Sequence, residues 1–250
     1  MPDLPDISFA FPPKTSLIIT GAGSGIGRAT AIHAARMGLG VSAWDLDRDG
    51  LEETVEQVNR VGAPVHSWIA DVSDYSSIRE GVVSALEQFG RISLLHNNAG
   101  PSSSAPLEFD EALRISVGSM RAMTEAWAKA GPGEGAAMVV TSSVAGNVIG
   151  TGSDWYSASK SAVAGYVRHL AAYRSEEFRS NAVAPGMTDT PRLAGFAASN
   201  IGERVLQRIP LGRMGTADDI AFATLFLLSP LSAYINGAYL PVDGGWTITQ

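Results

Sequence analysis

From Ser16 onward, short apolar runs alternate with longer amphipathic segments, and that alternation leaves few folds open. The runs are SLIIT (16–20), VSAW (41–44), PVHSWIA (64–70), ISLLH (92–96), AAMVVTSS (136–143), RSNAVA (179–184) and AYLPV (238–242). They are mostly apolar without regular alternation, as strands covered on both faces must be. Between them, residues 25–38, 48–62, 74–89, 109–130, 156–175 and 216–229 carry helical spacing. A repeating β-α order of this kind predicts an α/β fold with a parallel sheet covered on both faces by helices.

At 250 residues and 45% hydrophobic content, the chain is long enough for one sizeable core. No stretch is rich enough in Pro, Gly or Ser to act as a linker, and GPGEGA (131–136) reads as a helix-ending turn. A single domain is expected over 15–250, preceded by a flexible, proline-broken lead-in over 1–14. A net charge of −7 with no basic stripe argues against a general nucleic-acid binder and against anionic membranes. The absence of cysteine excludes disulfides and thiolate metal sites. His33, His66, His96 and His169 lack metal-ligand spacing, so no metal is expected. The N-terminal stretch lacks the features of a signal peptide, and Pro230 and Gly237 interrupt the most apolar C-terminal segment. A cytoplasmic protein is the expectation.

TGAGSGIG (20–27) follows the first strand and opens the first helix. Gly21 allows the tight turn, Gly25 and Gly27 allow close backbone approach, and the helix N-terminus offers free N–H groups to a diphosphate. Ser24 and Ile26 belong to the same loop. Asp45, ending the second strand before Leu46, lies where an adenosine ribose would sit. Its carboxylate would accept from the ribose hydroxyls and repel a 2′-phosphate, which favours NAD over NADP. The simpler reading of Asp45 is a helix N-cap. Asp71 is suited to the adenine amino group, with Val72 beside the ring, and equally to a plain turn. Asn97–Gly100 ends the fourth strand; its asparagines can tie strand ends together, and Gly100 leaves room for a ligand.

These motifs form an ordered set. A TGxxxGxG loop (Thr20–Gly27) is followed by NNAG (Asn97–Gly100). Ser143 then stands thirteen positions before a Y-x-x-x-K pair, Tyr156 and Lys160, and Pro185–Gly186 comes later. The chain thereby resembles the classical short-chain dehydrogenase/reductase family from about Lys14 to Gly245. The resemblance implies a Rossmann-type doubly wound sheet of about seven parallel strands, a nicotinamide cofactor and a homotetramer. It also implies cofactor contacts from Asn98, Gly100, Tyr156, Lys160, Pro185, Gly186 and Thr188. Residues 187–210 would close over the substrate as a lid.

Tyr156 and Lys160, four apart, share a helix face. A free phenol titrates near 10, and a neighbouring ammonium is expected to lower it toward neutrality. Tyr156 would then exchange a proton with the substrate, Lys160 would hold ribose hydroxyls, and Ser143 would hydrogen-bond the substrate oxygen. Ser142 is the rival serine; the offset favours Ser143. The family's helix asparagine is absent, and Ser116 takes its place within LRISVGSMRAMTEA. Either serine or backbone holds the relay water, or the relay is broken. Ser180 replaces a usually apolar strand residue.

Asn147, Val148, Trp155, Met187, Leu193 and Phe196 are the candidate substrate wall. They predict a hydrophobic, ring-containing secondary alcohol or ketone as small-molecule substrate. The apolar C-terminus GGWTITQ is expected to dock on a neighbouring subunit. The leading expectation is an NAD(H)-dependent alcohol dehydrogenase or ketone reductase. The alternatives are a 3-oxoacyl-carrier-protein reductase and a non-catalytic NAD-binding sensor.

Overall fold

The computed structural model describes residues 9–146, 150–195 and 199–249. The strands β1 (Ser16–Thr20), β2 (Gly40–Asp45), β3 (Val65–Ile69), β4 (Leu94–Asn97), β5 (Ala137–Thr141), β6 (Arg179–Pro185) and β9 (Tyr239–Val242) form one sheet. Their order is β3-β2-β1-β4-β5-β6-β9, and every pairing is parallel. The order reverses direction between β1 and β4, which opens the crevice at the strand C-termini where such sheets take ligands. Two short strands, β7 (Thr188–Asp189) and β8 (Gly215–Thr216), pair outside this sheet and brace the segment after β6.

The helices are α1 (Gly25–Arg36), α2 (Arg48–Val61), α3 (Tyr75–Phe89), α4 (Phe109–Leu113), α5 (Ser119–Lys129), α6 (Asp154–Tyr173), α7 (Asn200–Leu206) and α8 (Ala217–Leu228). One apolar layer packs Trp44, Ile78, Met123, Trp127 and Val167 on one sheet face. The other packs Leu17, Ile19, Leu51, Val139 and Leu225 on the opposite face. The doubly wound arrangement expected from the apolar strands is therefore present. Phe9 and Phe11, within the stretch read as a loose lead-in, pack against the second layer, and Phe9 meets the Phe226 ring edge-on at 6.3 Å.

The segment expected as one long helix over 109–130 is interrupted. α4 and α5 are joined by a five-residue π-helical turn, Arg114–Gly118, and Ser116 stands at its centre. A π-turn widens the backbone ladder by one residue and is frequent at functional sites.

The four histidines are packing residues. His33 bonds Asp218 at 2.8 Å, and His66 lies between Ser42 and Ser84. His96 bonds Thr141 at 2.8 Å, and His169 packs between the rings of Tyr166 and Tyr173.

Ser180, in β6, is fully buried and its hydroxyl has no partner. A buried hydroxyl without a hydrogen bond carries its full desolvation cost. Ser180→Ala is expected to raise stability by about 1 kcal/mol, which is about 3 °C in Tm for a chain of this size. Thermal melting of the two proteins side by side checks this; a lower Tm for the variant contradicts it.

Candidate active site

The glycine loop shows why the sequence needs glycine where it has it. Gly21 adopts φ +68°, a left-handed conformation that disfavours other residues. A Cβ on Gly27 would stand 2.0 Å from the Gly21 carbonyl oxygen and 2.9 Å from Asn98 Nδ2. The first turn of α1 thus lies directly against the loop, and its N-terminal N–H groups open into the crevice.

A network at the strand ends fixes this loop. Asn98 Nδ2 donates to the carbonyls of Thr20 and Gly21, each at 3.1 Å. Thr20 Oγ1 accepts from the backbone N–H of Asn98 and Ala99. Thr141 donates to Asn98 Oδ1 at 3.0 Å and accepts from His96 Nε2. Burial holds His96 neutral, with a pKa pushed down to about 3. Asn97 Nδ2 reaches Thr124 on α5 at 3.0 Å. Both asparagines of NNAG therefore tie elements together.

The crevice is a cleft of about 990 Å³. At one end it is lined by Gly21, Ser24, Gly25, Ile26, Asp45, Leu46, Asp71 and Val72. Asp45 accepts from the Gly23 N–H at 2.7 Å and from the Asp47 N–H at 3.0 Å, so it faces the glycine loop. Asp47, and not Asp45, is the residue preceding α2 in the capping position. Arg48 lies 4.0 Å from Glu52 on the outside of its own helix. Asp71 forms a turn with the Ser73 N–H at 2.8 Å and also lines the cleft. Toward the middle, Asn98, Gly100, Pro185, Gly186 and Thr188 continue the wall. Thr188 turns its hydroxyl back to the Gly186 carbonyl at 3.1 Å. Thr190 lies against Gly25, whose Cβ would stand 3.3 Å from its methyl group. The threonine side chain that faces the loop is thus the one at 190.

Ser143, Tyr156 and Lys160 meet at the centre of this cleft. Ser153 caps α6 by accepting from the Tyr156 N–H at 3.3 Å, which starts the helix just ahead of the tyrosine. One turn on, Lys160 Nζ donates to the Thr141 carbonyl at 3.0 Å and stands 5.5 Å from the Tyr156 ring centre. Ser142 is buried, and its hydroxyl donates to the Lys160 carbonyl at 3.0 Å and lies 3.2 Å from the Tyr239 hydroxyl. That hydroxyl in turn donates to the Ser143 carbonyl. Ser143 is left to face Tyr156. Of the two serines, Ser142 is the one tied into the fold. Nothing in the local sequence marked Tyr239 as the group beneath them.

The electrostatics depart from expectation. Burial raises the Tyr156 phenol above its usual value, against the hydrogen bond from Ser143 and the charge of Arg192, which lower it. Burial, with Arg192 nearby, pulls Lys160 itself down to about 8.

Ser116 does not line the main cleft. With Lys160, Thr141, Asn97 and Val72 it lines an adjoining cavity of about 20 Å³, enough for one water molecule. Its hydroxyl is buried and unpartnered.

Of the proposed substrate wall, Met187 and Leu193 line the far end of the cleft. Asn147, Val148 and Phe196 lie outside the described residues. Trp155 is buried and meets the Tyr156 ring edge-on at 5.7 Å, so it supports the tyrosine from behind and lines no part of the cleft. Trp246 lines it instead, with Val205, Arg192 and Arg208. The C-terminal turn folds back on its own chain: Asp243 accepts from the N–H groups of Gly245 and Thr247 and from the Thr247 hydroxyl. Sequence reading missed Trp246 because a chain end carries no periodic signal. Among the described residues, no helix is long and apolar enough to cross a membrane.

Comparison with known proteins agrees with this geometry. The family described as Enoyl-(Acyl carrier protein) reductase matches residues 21–247. The chain is 34% identical to levodione reductase from Leifsonia aquatica, covering 92% of each. It is 33% identical to the 3-oxoacyl-(acyl-carrier-protein) reductase of Thermotoga maritima, over 92% of this chain and 97% of the relative. The crystal structure of levodione reductase superposes with a TM-score of 0.87 over 95% of this chain and 99% of that one. A 7α-hydroxysteroid dehydrogenase solved with NADH and 7-oxo glycochenodeoxycholic acid superposes at 0.88, with 29% identity over 93% of this chain and 94% of that one. With loop, serine, tyrosine and lysine gathered in one crevice and relatives matching along nearly the whole chain, the protein belongs to the short-chain dehydrogenase/reductase family of oxidoreductases.

Proposed function

We propose that the protein is an NAD(H)-dependent oxidoreductase that interconverts a secondary alcohol and a ketone, with Tyr156 as the proton-exchanging group. The observation carrying this reading is the convergence of Ser143, Tyr156 and Lys160 beside a glycine loop at one end of a single cleft. The loop fits a dinucleotide: the contact of Gly27 with Gly21 leaves the α1 N-terminus open to a diphosphate, which a Cβ at 27 would displace. Bound there, the nicotinamide ring would supply the hydride acceptor or donor.

The chain's own groups do the rest. Ser143 hydrogen-bonds the substrate oxygen, where negative charge develops. The buried phenol of Tyr156 is held protonated and so serves as acid for a ketone; for an alcohol it accepts the proton once the charges around it favour phenolate. Lys160 orients ribose hydroxyls and passes protons onward. Ser116, unpartnered beside a cavity of one-water size that Lys160 also lines, holds the relay water in place of the family's asparagine. A serine hydroxyl reaching that cavity supports an active enzyme over a retired sensor. A cytoplasmic homotetramer is part of the same reading; Tyr173 and Tyr234 leave rings exposed that subunit contacts would cover.

The coenzyme preference follows from Asp45, which faces the glycine loop where a 2′-phosphate would meet its charge. Like charges at that separation cost several kcal/mol, so kcat/KM is expected to favour NAD over NADP by about 100-fold. Asp45→Asn keeps the shape and removes the charge, and should reduce that preference to about tenfold or less. Initial rates with both coenzymes on a panel of secondary alcohols and ketones test the whole reading. Turnover of none of them defeats the proposed activity, and preference for NADP defeats the coenzyme assignment.

A further inference from the structure

Charge is segregated along the cleft. Among the described residues, its lining carboxylates are Asp45 and Asp71, both at the adenosine end. Its lining cations are Lys160 at the centre and Arg192 and Arg208 at the far end. A chain of net charge −7 has thus placed its cleft guanidiniums where the substrate goes and its cleft carboxylates where the substrate does not.

Arg192 stands on the short helical turn Pro191–Leu193 that follows β7. Its Nη2 donates to the Gly100 carbonyl at 2.7 Å, bridging the lid to the loop after β4 across the mouth of the cleft. No described carboxylate forms an ion pair with it. Its charge is felt at both reacting side chains, lowering Tyr156 and Lys160 alike. A guanidinium in such a place presents a planar fork of donors that matches a carboxylate. The wall around them carries the apolar side chains of Leu107, Ile115, Met187, Leu193, Val205 and Trp246.

Resting on the reading of the site as an alcohol–ketone oxidoreductase, we propose that its substrate is an anion: an apolar body bearing a carboxylate that Arg192 binds from the lid, with Arg208 adding positive potential behind it. Arg192 would exchange the Gly100 carbonyl for the carboxylate as the substrate enters. The adenosine phosphate of NADP is not the anion in question, because Asp45 and Asp71 occupy the opposite end.

Matched ligands test this: acetophenone against 4-acetylbenzoate, and 2-pentanone against levulinate. Dissociation constants are measured on the enzyme–NAD complex, which cannot reduce a ketone, by quenching of tryptophan fluorescence, Trp246 being in the cleft wall, and kcat/KM is measured in parallel with NADH. The carboxylate member of at least one pair is expected to bind tenfold or more tightly. Arg192→Met should remove that preference, leaving the neutral member and the affinity for NADH within twofold. Added salt should weaken only the carboxylate member. Equal binding within both pairs overturns the proposal. So does a variant that loses NADH affinity and both ligands together, since Arg192 would then serve the cofactor diphosphate. A carboxylate preference without reduction of either ketone would instead overturn the oxidoreductase reading and leave the anion site standing.

Discussion

Tyr156→Phe is expected to lower kcat for a secondary alcohol or ketone by about three orders of magnitude while leaving NADH affinity within twofold. The ring is held independently of its hydroxyl: Trp155 supports it edge-on at 5.7 Å, and the Ser153 cap fixes its backbone. Removing one oxygen therefore leaves the fold, the glycine loop and Lys160 in place. What is lost is the one hydroxyl in the cleft that faces Ser143 and can exchange a proton with the substrate oxygen. Single-turnover rates with NADH and a ketone, alongside direct NADH titration, check the split. A variant with more than a tenth of wild-type kcat would move the proton to another group. Ser143→Ala distinguishes the candidates, because it removes substrate-oxygen stabilisation and leaves the phenol.

How far the sequence exposed this site depends on which physical signal each residue carried. The glycine loop was legible because backbone approach dictates residue type: a Cβ at 27 meets a carbonyl oxygen at 2.0 Å, and no other residue fits. The strands were legible because a doubly covered sheet demands apolar runs, and β1, β2, β3, β6 and β9 lie within one residue of the predicted ends. The π-turn at Arg114–Gly118 was not, since the apolar spacing of an α-helix and of one with an inserted residue differ little over five positions. The expected acidification of Tyr156 by Lys160 is not found because burial acts on both groups. It raises the phenol and pulls the lysine down to about 8, so the ammonium has given up its proton before the phenol releases its own. Tyr239 and Trp246 enter from β9 and from the turn after it, and only the strand order brings Tyr239 beneath the serines and Trp246 to the cleft wall.

Lys160→Met is expected to abolish useful turnover and, in the cofactor-free protein, to raise thermal stability near neutral pH. The two effects share one cause. The ammonium lies half-buried against β5 with a single protein hydrogen bond, to the Thr141 carbonyl at 3.0 Å, and its pKa is pulled from 10.5 to about 8, chiefly by loss of solvent. Below about pH 8 the lysine is charged in both folded and unfolded chains, and the folded chain bears the desolvation cost. Between about 8 and 10.5 the folded state has released the proton that the unfolded state still binds, so this group's contribution makes stability rise with pH across that window. Methionine has similar length, no charge and no titration. The variant should therefore exceed the wild type by on the order of 2 kcal/mol at pH 7, or about 5 °C in Tm, with the gap closing as pH rises toward 10. The Thr141 carbonyl freed by the change lines the open cleft, where water can satisfy it. Saturating NADH should reverse the order, because the wild-type ammonium then gains the ribose hydroxyls that the thioether cannot hold. Melting curves with and without NADH from pH 7 to 10 measure all of this. A variant less stable than wild type at pH 7, or a gap indifferent to pH, would show that the cation is not the destabilising element that function retains.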